Sequence, residues 1–164
     1  MYTGDEMKNK TCCFTGHRII SKPIKHELKE KLKLEIEKLI TLGYTDFCNG
    51  GAIGFDTIAC EVVLALKKSY PSIKLIMILP CKNQDNKWNS GDKEKYQEIL
   101  TQADEINYIS ERYVAGCMQA RNLQLIEQSS ICLCYLKNNY SGTAFTVRNA
   151  KENELTIINL ADNM

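Results

Sequence analysis

The chain has 164 residues, with 21 Lys and Arg against 20 Asp and Glu, and residues of the hydrophobic set make up 44 % of it. A chain of this length folding as one domain buries roughly 70 % of its unfolded surface, and its composition excludes a disordered tail and a disulfide-stapled miniprotein. A net charge of +1 lacks the basic excess of a dedicated nucleic-acid binder, Leu75 to Leu79 is an apolar run far too short to cross a bilayer, and MYTGDEMKNK carries no secretory h-region.

Two hydrophobic periods alternate along the chain. Thr11–Thr15 reads as a short strand ending in Gly16. Pro23 opens a helix on which Ile24, Leu28, Leu32, Ile36, Leu39 and Ile40 recur at helical spacing, with Gly43 as its C-terminal stop. Tyr44–Cys48 reads as a second strand, followed by the glycine turn Asn49-Gly50-Gly51-Ala52-Ile53-Gly54 and a helix from about Phe55 to Ser69. Ile73–Leu79 is a near-continuous apolar run, the pattern of a strand buried on both faces of a parallel sheet, and Pro80 is expected to close it. A polar loop over Cys81–Asn89, a helix at Ser90–Ala103 and a short strand at Glu105–Ile109 follow. The loop Ser110–Cys117, a helix at Met118–Ser129, the strand Ile131–Leu136, the loop Lys137–Ser141, a helix at Gly142–Asn153 and the strand Leu155–Leu160 complete the chain. Strands alternating with crossover-length helices imply one Rossmann-like, three-layer α/β domain with a mainly parallel sheet.

The eight cysteines form neither a C-x-x-C pair nor a Cys/His cluster at zinc spacing, and several lie inside apolar runs. They read as small buried hydrophobes of a reducing, cytoplasmic protein, with no metal or cofactor called for.

In an open parallel sheet, ligands bind beyond the carboxyl ends of the strands, at the point where strand order reverses. That rule selects Thr15, Gly16, His17 and Arg18 after the first strand, Gly50 to Asp56 after the second, Pro80 after the third, and Ser141, Gly142 and Thr143 after the fifth. Gly50, Gly51 and Gly54 either let the backbone approach an anion at a helix N-terminus or simply make a tight turn; they match neither G-x-G-x-x-G nor a Walker A sequence. Ser141 and Thr143 have hydroxyls for a cap or for a phosphate. Arg18 suits bidentate phosphate contact, and Asp56 favours the helix dipole or accepts hydrogen bonds from ribose hydroxyls. Arg121 and Asn122, taken alone, read as surface residues. Trp88, the sole Trp, sits in the long polar loop and is expected as a packing anchor or as a lid stacking on a base.

TGHR at 15–18, GGAIGFDTIACE at 50–61, Trp88, GCMQARN at 116–122 and SGTAFTVRNA at 141–150 together resemble the YpsA-like branch of the SLOG superfamily, in order and over roughly residues 10–160. That superfamily is Rossmann-like and includes the LOG phosphoribohydrolases and the Smf/DprA proteins. The resemblance implies a site for a nucleotide or a nucleotide derivative, ADP-ribose-like or a nucleoside phosphate, and a homodimer. It also implies a role as a sensor or a sequestering protein in nucleotide signalling of the antiphage kind. Met118-Gln119-Ala120-Arg121-Asn122 is similar to the M-x-x-R-K segment of LOG enzymes, with Asn122 in place of lysine. Tyr140-Ser141-Gly142-Thr143 is similar to their glycine turn, with Ser141 where many relatives have glycine. The LOG glutamate falls on Thr146, so the carboxylate that N-glycosidic cleavage requires is absent from that position; a substitute would have to come from another helix, as Asp56 or Glu61. The resemblance therefore implies binding ahead of hydrolysis, with single-stranded DNA binding third.

Overall fold

A computed structural model describes residues 3–162 and residue 164. Six strands, β1 (Thr11–Gly16), β2 (Asp46–Asn49), β3 (Lys74–Cys81), β4 (Glu105–Ser110), β5 (Ile131–Tyr135) and β6 (Thr156–Asn159), form one sheet in the order β4-β3-β2-β1-β5-β6. Every neighbouring pair is parallel. The helices between them are α2 (Lys22–Thr41), α3 (Phe55–Lys67), α4 (Ser90–Gln102), α5 (Cys117–Glu127) and α6 (Gly142–Glu152). The α/β class is therefore as expected, as is each predicted strand and helix to within a few residues.

A short helix, α1 (Gly4–Lys8), precedes β1 and has no counterpart in the predicted elements. Its capping box was nevertheless written in the sequence. The Thr3 hydroxyl accepts from the Glu6 N–H, and the Glu6 carboxylate accepts from the Thr3 N–H. A second difference is Pro80, which lies inside β3 instead of ending it. The Leu75 amide and carbonyl face β4, bonding Asp104, so the alternate residues turn to β2. Pro80 falls in that alternate set, three residues beyond the last β2 pairing at Met77, where no ladder donor is needed.

Strand period two sorts the core. Cys12, Phe14, Phe47, Leu75, Met77, Leu79 and Leu133 pack under α2, α3 and α4. Cys13, Cys48, Ile76, Ile78, Cys132 and Cys134 face α5 and α6 through Leu125, Ile126, Val147 and Ala150. The order explains the division. From β1 to β4 the chain steps one way along the sheet, and right-handed crossovers keep α2, α3 and α4 on one face. After β4 it must return to β5, beside β1, and the reversed step puts α5 and then α6 on the opposite face. The reversal leaves a crevice between the carboxyl ends of β1 and β5.

Candidate functional site

The crevice is a cavity of about 490 Å³ with four walls. The end of β1 supplies Thr15, Gly16, His17 and Arg18; the start of α3 supplies Ala52 and Asp56; α5 supplies Arg121 and Asn122; α6 supplies Ser141, Gly142, Thr143 and Thr146. Ten of the residues singled out from sequence therefore meet in one place, with Thr146 beside them.

Asp56 stands in the first turn of α3 and is nine-tenths buried. Its Oδ2 accepts from the Ala52 N–H at 3.1 Å, while its Oδ1 is buried without any hydrogen-bond partner. Burial pushes its pKa from an ordinary 3.8 up to about 6, against the pull of Arg121, of the Ala52 N–H and of Arg18. It is the sole acidic side chain lining the cavity among the described residues. Glu61 lies outside it, ion-paired to Lys29 and Lys95. At the position of the LOG glutamate, the Thr146 hydroxyl donates to the Gly142 carbonyl of its own helix.

Arg121 is only 5 % exposed, on the inward stripe of α5 between Cys117 and Leu125. Its guanidinium donates to the Gly50 carbonyl at 2.5 Å, to the Gln84 side-chain oxygen at 3.3 Å and, through Nε, to Asn122 at 2.7 Å. Burial lowers its pKa and Asp56 opposes that shift. The bare residue reading of Arg121 as a surface side chain is thus wrong. The helical spacing 117–121–125 among apolar residues was the signal that it faces inward.

His17 accepts the Lys137 N–H at Nε2, 2.8 Å away, and meets the Tyr135 ring edge-on. Burial and the nearby Lys137 lower its pKa, which keeps the neutral ring that this accepted bond requires. Arg18 is exposed, and among the described residues its side chain makes no hydrogen bond or ion pair. At α6, the Ser141 hydroxyl caps the Ala144 N–H, so its cap role is filled. The space above Gly142 is open, with nothing within 4 Å of where a side chain would begin, and the first turn carries no acid.

The three glycines of the turn, Gly50, Gly51 and Gly54, lie apart from the cavity. Each is glycine because protein presses on it. A Cβ at Gly50 would stand 2.8 Å from Arg121, and one at Gly51, where φ is +70°, 2.7 Å from Leu79. At Gly54, with φ +80°, it would stand 2.2 Å from the Arg18 carbonyl oxygen. The turn is closed by its own bonds: Asn49 accepts from the Gly51 N–H and donates to the Asp56 carbonyl. Trp88 takes the packing-anchor position of its two readings. It packs edge-on to Tyr96, ring centres 5.0 Å apart, against the α2–α4 core and away from the cavity. Gln84, from the same loop, is the residue that sequence reasoning missed. It donates to the Gly50 and Gly51 carbonyls and holds Arg121 from the other side.

Parallel topology and reversal after β4 define a Rossmann-like α/β protein, with a polar cavity at the switch point. The chain belongs to the YpsA (YspA SLOG) family, whose pattern matches residues 12–160. It is 35 % identical over 146 residues to an uncharacterized SPbeta prophage-derived protein, YoqJ, of Bacillus subtilis, covering 81 % of this chain and 85 % of that one. It is 38 % identical over 104 residues to a UPF0398 protein of Brevibacillus brevis, spanning about half (51 %) of that relative's length and 63 % of its own. Among solved structures, DNA processing protein A from Helicobacter pylori, described for its single-stranded DNA binding mode, superposes with a TM-score of 0.66 at 23 % identity, over 92 % of this chain and 64 % of that one. The Streptococcus pneumoniae protein gives 0.64 at 19 %, over 92 % and 50 %. These two likenesses concern the fold. Among the described residues, no helix is long and apolar enough to cross a membrane.

Proposed function

We propose that the chain binds a nucleotide-derived small molecule in the switch-point cavity, its phosphate near the start of α6 and Arg18 and a sugar hydroxyl against Asp56. The observation that carries this is Asp56, a nearly buried carboxyl with one oxygen unpartnered, lining the same cavity as an open helix N-terminus and the exposed Arg18. A carboxylate oxygen without a donor is costly, and a ligand hydroxyl supplies the donor; the helix dipole and its N–H groups favour an anion close by. Binding without turnover suits a sensor or a sequestering protein, and a prophage-derived relative fits the second role.

Cleavage of an N-glycosidic bond is the second reading, favoured by Asp56 being a carboxyl of raised pKa inside the cavity. Single-stranded DNA binding ranks below both, because a net charge of +1 supplies little counterion release. Mass spectrometry of the denatured, purified protein is expected to release a bound nucleotide-like compound, and titration with AMP to give saturable heat. Incubation with AMP is expected to leave it intact. Rapid release of free adenine would move the enzyme reading to first place, and absence of any binding would remove both.

A further inference from the structure

The sheet treats its two edges differently. β6 is four residues long and is partly covered after its first residue. β4 is six residues long, contains neither proline nor lysine, and exposes its first four residues. Its one charged side chain, Glu105, stands at the very start. An edge of this kind offers a row of backbone N–H and C=O groups to any strand that approaches, and folded proteins ordinarily block it.

The surface beside that edge is apolar. Among the described residues, four of the ten large exposed hydrophobic side chains lie between positions 106 and 114: Ile106, Tyr108, Tyr113 and Val114. Ile106 is in register with Met77 and Tyr108 with Leu79, so both stand on the α4 face of the sheet. Met77 and Leu79 are fully buried there, whereas Ile106 and Tyr108 are left in water. An apolar patch lying along a free strand edge marks a surface that a second strand covers.

We propose that this edge joins two copies of the chain, β4 pairing antiparallel with the partner's β4 about a two-fold axis at Asn107. The strand selects that arrangement by being complementary to itself. With Asn107 on the axis, Ile106 stands opposite the partner's Tyr108 on the α4 face, and the symmetry makes this aromatic and β-branched pair twice. Moving the axis to Tyr108 would instead set Ile106 against Ser110 and Glu105 against Glu111, two like charges. The antiparallel direction also brings Glu105, at one end, towards the partner's Arg112, just past the other end. Among the described residues, neither makes an ion pair within its own chain. Tyr113 and Val114 extend the apolar contact beyond the strand. The two sheets then run on as one, with a β6 at either end. The axis lies three strands from the β1–β5 crevice, so the cavity stays open and the proposal does not depend on what it binds.

Light scattering on the full chain, with Ile106→Lys and Tyr108→Glu measured singly and as a mixture, tests this. Wild type is expected at twice the chain mass at micromolar concentration, with a melting temperature that rises with protein concentration. Each variant alone is expected to be a monomer with an unchanged far-ultraviolet circular dichroism spectrum. The mixture is expected to recover the dimer. An axis at Asn107 sets the new lysine of one copy opposite the new glutamate of the other and leaves the second Ile106–Tyr108 pair intact. A monomeric wild type overturns the proposal, as does a dimer that survives either substitution. A mixture that stays monomeric overturns the pairing about Asn107.

Discussion

Asp56→Asn should make the unliganded protein more stable at neutral pH, by an amount the structure sets. At 1.36 kcal/mol per unit of pKa, a rise from 3.8 to about 6 makes ionising Asp56 cost about 3 kcal/mol more in the fold than in the unfolded chain. The folded value lies above the unfolded one, so the neutral acid is the form that the fold prefers. Its contribution is fully present below about pH 4, is lost as pH rises towards about 6, and stays lost above that. Asparagine keeps an oxygen for the Ala52 N–H and cannot ionise. Urea denaturation followed by circular dichroism across this range should therefore show the variant level with wild type near pH 4. At pH 7.5 it should be ahead by up to about 3 kcal/mol, on the same bookkeeping. The comparison removes the pH dependence of every other group. A gap that does not change with pH, or a variant less stable at neutral pH, would refute the burial argument.

Other substitutions separate folding from binding. Gly51→Val forces a β-branched residue to φ +70° against Leu79 and Tyr96, and should cost more than about 2 kcal/mol of stability by thermal melting. An unchanged melting temperature would count against the turn's packing role. Arg121→Ala takes one donor from the Gly50 carbonyl, takes the guanidinium donor from the Gln84 side-chain oxygen, and leaves Arg18 alone to pull on Asp56. A loss of about 1.5–3 kcal/mol in stability is expected alongside weaker nucleotide binding. Normal stability with lost binding would show the guanidinium to be spent on ligand instead of on the turn.

The fold was legible because its strands and helices differ in period. The Ile73–Leu79 run announced a doubly buried strand, and β3 proves buried from Leu75 onward. What local pattern could not carry was the strand order, since the return from β4 to β5 depends on which neighbour the sheet offers. The site was legible as a set of segments, through the rule that strand ends meet ligands, but not as a set of roles. Glycines in a turn look alike whether an anion or a side chain presses on them, and only the positions of Leu79, Arg121 and the Arg18 carbonyl distinguish the two. Gln84 carried no signal at all, because a polar residue in a polar loop has no period to betray an inward side chain.

The cysteine-lined sheet has a consequence for how the protein fails. All eight thiols are free and buried. Burial pushes Cys12, Cys48 and Cys60 upward in pKa, so the reactive thiolate is scarce as well as unreachable. While folded, the chain should ignore alkylating agents and mild oxidants. On unfolding it presents eight nucleophiles at once, and in an oxidising medium the first disulfides formed would block the way back. At maleimide concentrations high enough for alkylation to outpace reclosing, the rate of thiol consumption is the rate of opening, and in that regime chemical lifetime is set by that rate and not by equilibrium stability.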